Sequence, residues 1–344
     1  MKIFYAVQAT GNGHISRAMQ LLPYLRRHGN VDIFLSGSNS QLHVDAPVRF
    51  RSKGLSLFYN SGGGLDYWKI GRNINPVHVW DELRELPVEE YDVVINDFEC
   101  ITSLACAYKK VASVNFGHQA AFHSPLSPRP AKKQWMGELI LRNYAKATQY
   151  LGLHFERYDN FIFTPVIKKE ILEAKPVAKK HITVYLSSYS DETVFNCLST
   201  IRGFHFHVFS KQVSRSSTSG NVTFIPVGDR LFTQSMINSS GVITGAGFEA
   251  PAEALHLKKK LLVIPIRGQY EQLCNAAALE KMGVTVLDKM DENFATVFDQ
   301  WMQDNRQKVI EYSNIAPQVV NHLFETYPYN GASLDLLYPN LVFN

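Results

Sequence analysis

Two spacings of apolar residues alternate along the chain. Short, nearly continuous apolar runs are separated by stretches in which apolar residues return every three or four positions. The runs KIFYAV (2–7), VDIFLS (31–36), DVVIND (92–97), ASVNF (112–116) and NFIFT (160–164) form one set. HITVYLS (181–187), FHFHVFS (204–210), VTFIPV (222–227), GVIT (241–244), LLVIPI (261–266) and GVTVL (283–287) form a second. Strands that are apolar on both sides suit parallel sheets covered by helices, so the pattern predicts an α/β chain with two doubly wound, Rossmann-like sheets. Between the sets, TPVIKKEILEAKPVAKKH (164–181) carries two prolines and five lysines and reads as an interdomain linker. The domains are expected at 1–168 and 169–325, with a long helical stretch from about Glu292 to Thr326 and a tail, 326–344, that packs back on the first domain.

Two glycine loops interrupt this pattern at strand ends. TGNGHISRA (10–18) follows the first strand, and Gly11 and Gly13 allow a tight turn before a helix. A dinucleotide fingerprint would need a third glycine where Ser16 stands, and an acid where the second strand ends in Ser36 and Gly37, so that reading fails twice. GVITGAGFEAPAEAL (241–255) is the stronger signal: a strand, a turn of small residues, and a helix start that Pro251 ties to residues 247–249. Free N–H groups and a helix dipole at such a turn suit a diphosphate. Glu249 and Glu253 then lie on one flank, a like-charge pair that costs an isolated helix about 0.2–0.5 kcal/mol. Either Glu249 complements the dipole while Glu253 is solvated, or one of the two carboxylates accepts from a ribose diol. IRGQYEQLCNA (266–276) brings Glu271 and Gln272 back to the same sheet edge, with acceptors and donors suited to sugar hydroxyls.

Composition changes little. Hydrophobic residues at 45% and charged residues at 19% fit a globular protein, and no segment reaches the roughly 20 apolar residues of a membrane span. The start MKIFYAV reads as a first strand and not as a signal peptide, and Cys100, Cys106, Cys197 and Cys274 have no metal-ligand spacing, so a cytoplasmic protein is expected. A net charge of +4 permits an anionic substrate or membrane surface but falls short of the basic stripe of a nucleic-acid binder.

The segment TGAGFEAPAEALHLKKKLLVIPIRGQYEQLCNA resembles the donor-binding segment of GT-B fold glycosyltransferases, in particular the bacterial peptidoglycan N-acetylglucosaminyltransferases and the UDP-glycosyltransferases. GNGHISRA is similar to the glycine-rich Gly-His loop of the same group. The resemblance implies two Rossmann-like domains facing across a cleft, and inverting transfer from a nucleotide diphosphate sugar, of the UDP class, to an acceptor hydroxyl. It implies Gly245, Ala246, Gly247 and Phe248 at the diphosphate, Glu253 at the ribose, Glu271 and Gln272 at the donor sugar, and His14 as the base. Phe224 and Ile225 would flank the nucleobase, where the residues alone suggest a core strand and a helix capped at Asp229. Ser188 would donate to phosphate or cap a helix. No DxD motif appears, and no metal or other cofactor is expected. The glycine run at 10–13 is shorter than in the peptidoglycan enzymes, which leaves the acceptor open.

For the base, His118 in NFGHQAAFH and Asp97 or Glu99 at the end of VVINDFE compete with His14, since carboxyl ends of parallel strands face the crevice; their plain reading is a loop histidine and capped turn acids. RPAKKQWMGELILRNYAKATQYLGLHF (129–155) has a helical apolar spacing with flanking Lys132, Lys133, Arg142 and Lys146. It fits a buried surface helix of the first domain first, and second a helix lying on an anionic membrane that presents a lipid-linked or glycan acceptor at the inner face of the plasma membrane. YNSGGGLDYWKIGRN (59–73) reads as an acceptor loop or a long connection. A sugar-nucleotide 2-epimerase of the same fold and a catalytically silent nucleotide-sugar binding subunit are the alternatives to a transferase.

Overall fold

The computed structural model describes residues 1–9, 12–37, 46–53 and 76–326. The first half builds a parallel sheet from β1 (Lys2–Gln8), β2 (Asn30–Ser36), β3 (Val48–Ser52), β4 (Val93–Asp97), β5 (Val114–Gly117), β6 (Gln149–Leu153) and β7 (Ile162–Phe163), in the order β3-β2-β1-β4-β5-β6-β7. Its helices are α1 (Asn12–Leu25), α2 (Pro76–Glu85), α3 (Cys100–Lys109) and α4 (Trp135–Asn143). The alternation of β1 explains the two layers. Ile3, Tyr5 and Val7 pack with α1 on one face, while Phe4 and Ala6 pack with Leu83, Ile101 and Ala105 of α2 and α3 on the other.

After a short helix, α5 (Lys169–Leu172), the second half repeats the scheme. The strands are β8 (His181–Tyr185), β9 (His205–Ser210), β10 (Ser217–Ser219), β11 (Val222–Pro226), β12 (Gly241–Thr244), β13 (Lys260–Val263) and β14 (Thr285–Val286), in the order β10-β11-β9-β8-β12-β13-β14. All neighbours run parallel except the edge pair β10 and β11. The helices are α6 (Asp191–Leu198), α7 (Asp229–Asn238), α8 (Glu249–His256), α9 (Tyr270–Lys281), α10 (Phe294–Gln303) and α11 (Ala316–Thr326). Both sheets are therefore doubly wound, as the apolar runs predict.

Four elements depart from the sequence pattern, the smallest being the edge strand β10, STS, which has no apolar residue. β3 reads VRFRS, alternating partly buried and exposed positions at a sheet edge, so it has no continuous apolar run to betray it. Residues 129–155 form one helical stretch on sequence but divide into α4 and the strand β6. The stretch expected to be helical from Glu292 to Thr326 breaks into α10 and α11, with residues 304–315 outside any helix; Pro317 then sits in the first turn of α11, where its missing N–H does no harm. α11 packs on α1: Val319, Val320, Leu323 and Phe324 join the core that holds Ile3, Tyr5 and Val7 of β1, and Phe324 stacks on His28 at 4.1 Å. The tail 327–344, Gly11, and the loop 59–73 lie outside the described residues.

Candidate active site

The carboxyl ends of both sheets open on one cleft of about 780 Å3, a size suited to a small-molecule ligand. From the first domain it is lined by Gly13, His14, Arg17, His118 and Gln119, and from the second by Ser188, Gly245, Gly247, Phe248, Glu253, Glu271 and Gln272.

On the first wall, α1 places His14 and Arg17 three residues apart on one face. His14 Nδ1 lies 2.9 Å from Asp97 Oδ1, at the end of β4. Asp97 is fully buried, and the Arg17 guanidinium also grips it, with Nη2 at 2.7 and 2.9 Å from its two oxygens. Burial alone would raise the Asp97 pKa; Arg17 and His14 outweigh it and hold the carboxyl below its usual value. Arg17 Nη2 also lies 3.0 Å from His14 Nδ1; in the tautomer that donates Nδ1–H to the ionised Asp97, the lone pair at Nε2 is the one that can accept a proton. The next acid, Glu99, instead caps α3, accepting from Ile101 N at 2.9 Å and Thr102 N at 2.6 Å. Between the two acids Phe98 takes φ of 54°, a left-handed conformation for a bulky residue.

On the second wall, Gly245 and Gly247 follow β12, and α8 starts at Glu249 without a side-chain cap. A Cβ at Gly247 would meet no atom within 4 Å, so this position faces open space. Ala246 is buried behind the turn, and its carbonyl accepts from Asn275 Nδ2 at 3.0 Å. The two glutamates of α8 have separate cations. Glu249 pairs with Arg17 Nη1 across the cleft, at a point where a Cβ on Gly13 would strike the Glu249 carboxylate. Glu253 is only 3% exposed and lies 3.4 Å from Lys168 Nζ, which also binds Asp229 at 2.6 Å.

Burial pushes Glu253 from 4.5 up to about 7, against the opposing pull of Lys168. Because the folded protein holds this proton more tightly than the unfolded chain, Glu253 contributes stability that is complete below pH 4.5 and is lost as pH rises through about 7. The expected result is a denaturation midpoint that falls less steeply over that interval in Glu253→Gln than in the wild type, read by urea titrations at successive pH values.

The remaining candidates sort by contact. Glu271 accepts from Gln119 Nε2 at 3.0 Å, and Gln272 accepts from Ile266 N at 2.9 Å. Ser188 lines the cleft, and its neighbour Ser190 takes the capping role on α6. His118 has both ring nitrogens against protein oxygens, Leu153 O and Asn275 Oδ1, each at 2.8 Å, and its ring stacks on Phe248 at 4.0 Å. Burial draws its pKa below the usual imidazole value, offset in part by Glu271. It therefore ties the two domains together and presents no nitrogen to a substrate. Phe224 and Ile225 do not line the cleft; Phe209, Val227 and Phe232 do. The crevice lies at the carboxyl ends of the strands, which Val227 reaches just beyond β11, whereas Phe224 packs beside the second core. Arg17, Gln119 and Lys168 carry no motif of their own. Only the spacing of Arg17 from His14 on one helix face hints at a shared task.

Among the described residues, no group of three or more His, Cys, Asp or Glu side chains is arranged to hold a metal ion. Two doubly wound domains that meet at a cleft, with a histidine–aspartate pair on one wall and a glycine turn leading into a helix on the other, define a glycosyltransferase of the GT-B fold. A profile of glycosyl transferase family 1 matches residues 1–304, and the chain belongs to that family. Among curated proteins, none has a sequence that matches this chain. Solved structures with the same fold include the glycosyltransferase of kitacinnamycin, with 13% identity and a TM-score of 0.58 over 98% of both chains. MurG of Acinetobacter baumannii aligns with 16% identity and a TM-score of 0.54 over 95% of this chain and 98% of its own. UGT89C1 of Arabidopsis thaliana, solved in complex with UDP, aligns with 11% identity and a TM-score of 0.57 over 98% of both chains.

Proposed function

We propose that this glycosyltransferase uses a UDP-sugar and transfers the sugar, with inversion, to an acceptor hydroxyl. The observation that carries the reading is the placement of His14 and its buried partner Asp97 across one cleft from the uncapped turn Gly245–Glu249. The diphosphate would rest on the amides of that turn and the start of α8, with Glu253 at the ribose and Glu271 and Gln272 at the sugar. As the anomeric carbon bonds to the acceptor oxygen, His14 Nε2 takes the hydroxyl proton, and the electron pair of the breaking bond leaves on the diphosphate, where helix and turn N–H groups stabilise it. Resident metal and cofactor play no part in the proposal. Calorimetry with UDP tests it, and absence of binding would defeat it. Gly247→Ala should fold normally, since its Cβ meets no atom within 4 Å, yet lose about ten-fold or more in UDP affinity because the methyl enters the diphosphate seat. A product anomer of the same configuration as the donor would refute inversion, and a free epimerised sugar nucleotide would mark the epimerase alternative.

The acceptor proposal rests on the surface near α4. Trp135 is 74% and Leu139 52% exposed, with Leu126 and the exposed Lys132 and Lys133 close by in sequence. The other side of α4 meets α9, where Tyr270 Oη donates to Glu138 Oε1 at 2.8 Å. No described helix is long and apolar enough to cross a membrane. An amphipathic basic surface of this kind suits a cytoplasmic enzyme docked on an anionic leaflet with a lipid-linked acceptor. Flotation with phosphatidylglycerol vesicles should retain the wild type and release the variant Trp135→Ser/Lys132→Glu/Lys133→Glu; equal flotation of both would count against this acceptor.

A further inference from the structure

Gln119 has no role in the mechanism above, yet it stands between the base and the residue assigned to the donor sugar. It opens the short helical turn Gln119–His123 that follows β5, and it is 4% exposed. Its Nε2 donates to Glu271 Oε2 at 3.0 Å and approaches His14 Nε2 at 3.4 Å. Its Oε1 is buried with no hydrogen-bond partner among the described residues. The reverse amide orientation would set Oε1 against the Glu271 carboxylate, so the donor side of the amide must face Glu271 and His14.

We infer that Gln119 is a positioning residue that gates His14 and so favours transfer to the acceptor over hydrolysis of the donor. This rests on the transferase reading above. In the tautomer that gives Nδ1–H of His14 to Asp97, the lone pair at Nε2 is the base, and the Gln119 N–H, 3.4 Å away, occupies the place where an attacking O–H has to point. The contact at 3.4 Å is long and weak, while the anchor at Glu271 is of ordinary length. An acceptor held by its own contacts delivers its hydroxyl at high effective concentration and displaces that N–H. A single water molecule has no such advantage. With Oε1 unpaired among the described residues, the amide is held through Nε2 alone, chiefly by its bond to Glu271, which suits a group that turns away when substrate arrives. Hydrolysis would follow the same electron path as transfer: water oxygen bonds to the anomeric carbon, its proton passes to His14 Nε2, and the diphosphate leaves with the electron pair.

The test is UDP release from UDP-glucose, UDP-galactose and UDP-N-acetylglucosamine without acceptor, in wild type, Gln119→Met and Gln119→Asn. Methionine fills similar volume without an N–H, and asparagine is too short to reach both partners. Both variants should hydrolyse at least one donor about ten-fold faster than wild type, the scale of one lost hydrogen bond, while UDP affinity by calorimetry stays within about two-fold. Unchanged or slower release in both variants, or no release from any donor by a protein that binds UDP, overturns the gate. A merely structural Gln119 would weaken UDP binding and lower hydrolysis together. If wild type fails to bind UDP, the transferase reading itself falls, a result distinct from failure of the gate alone.

Discussion

Replacing His14 by alanine leaves UDP binding within about two-fold and lowers turnover by about 10²–10⁴-fold, the usual yield of a positioned general base. The expectation follows from geometry. His14 meets Asp97 and Arg17 through Nδ1 and Gln119 through Nε2; its own side chain makes no hydrogen bond with the turn at Gly245–Glu249 where the diphosphate would sit, and only Arg17 links the two, through Glu249. Loss of turnover with binding intact is the signature of an interaction made only in the transition state. A parallel loss of UDP affinity would instead make His14 a binding residue. Turnover close to wild type would return the base role to another group.

Replacing Arg17 by methionine destabilises the protein by about 3–5 kcal/mol, the range for removing one partner of a buried ion pair. Arg17 is buried between Asp97 and Glu249, and burial, which would lower its pKa, is overcome by those two carboxylates. Methionine roughly fills the volume but leaves Asp97 with His14 as its remaining close side-chain hydrogen-bond partner. Asp97 is the more damaging orphan, being fully buried, whereas Glu249 can turn to water. The loss should show in urea midpoints at neutral pH. It should shrink in acid: a carboxyl held low contributes stability above its unfolded value of 3.8, and in Arg17→Met the proton returns to Asp97 at a higher pH. Glu249→Gln should cost much less. Equal losses in the two variants would show that the pairing across the cleft, and not the buried Arg17–Asp97 contact, carries the energy.

Much of the fold is legible along the chain because it is local. Most strands of both sheets announce themselves as apolar runs, and β12 with its glycine turn marks the start of α8 within a residue of Glu249. β3 escapes because an edge strand needs no second apolar face, and β6 because a helical spacing of apolar residues at 129–155 continues past the end of α4. At the site, His14, Glu253, Glu271, Gln272, Ser188 and the glycines are legible by type and spacing, and all except Gly11, which lies outside the described residues, reach the cleft. Phe224 and Ile225 are not brought there, since aromatic and aliphatic residues on a strand look alike from either end of it.

Sequence alone determined the two doubly wound sheets, the glycine turns that open at their carboxyl ends, and the presence of two glutamates one helical turn apart on α8. Only the tertiary structure decided that Glu249 answers to Arg17, 232 residues away, and Glu253 to Lys168, and that Asp97 supports His14 while its neighbour Glu99 caps a helix. Backbone pattern is set by residues a few positions apart. The partner of a buried charge is whatever the fold carries to within hydrogen-bond reach once water has been removed, and no spacing along the chain encodes that.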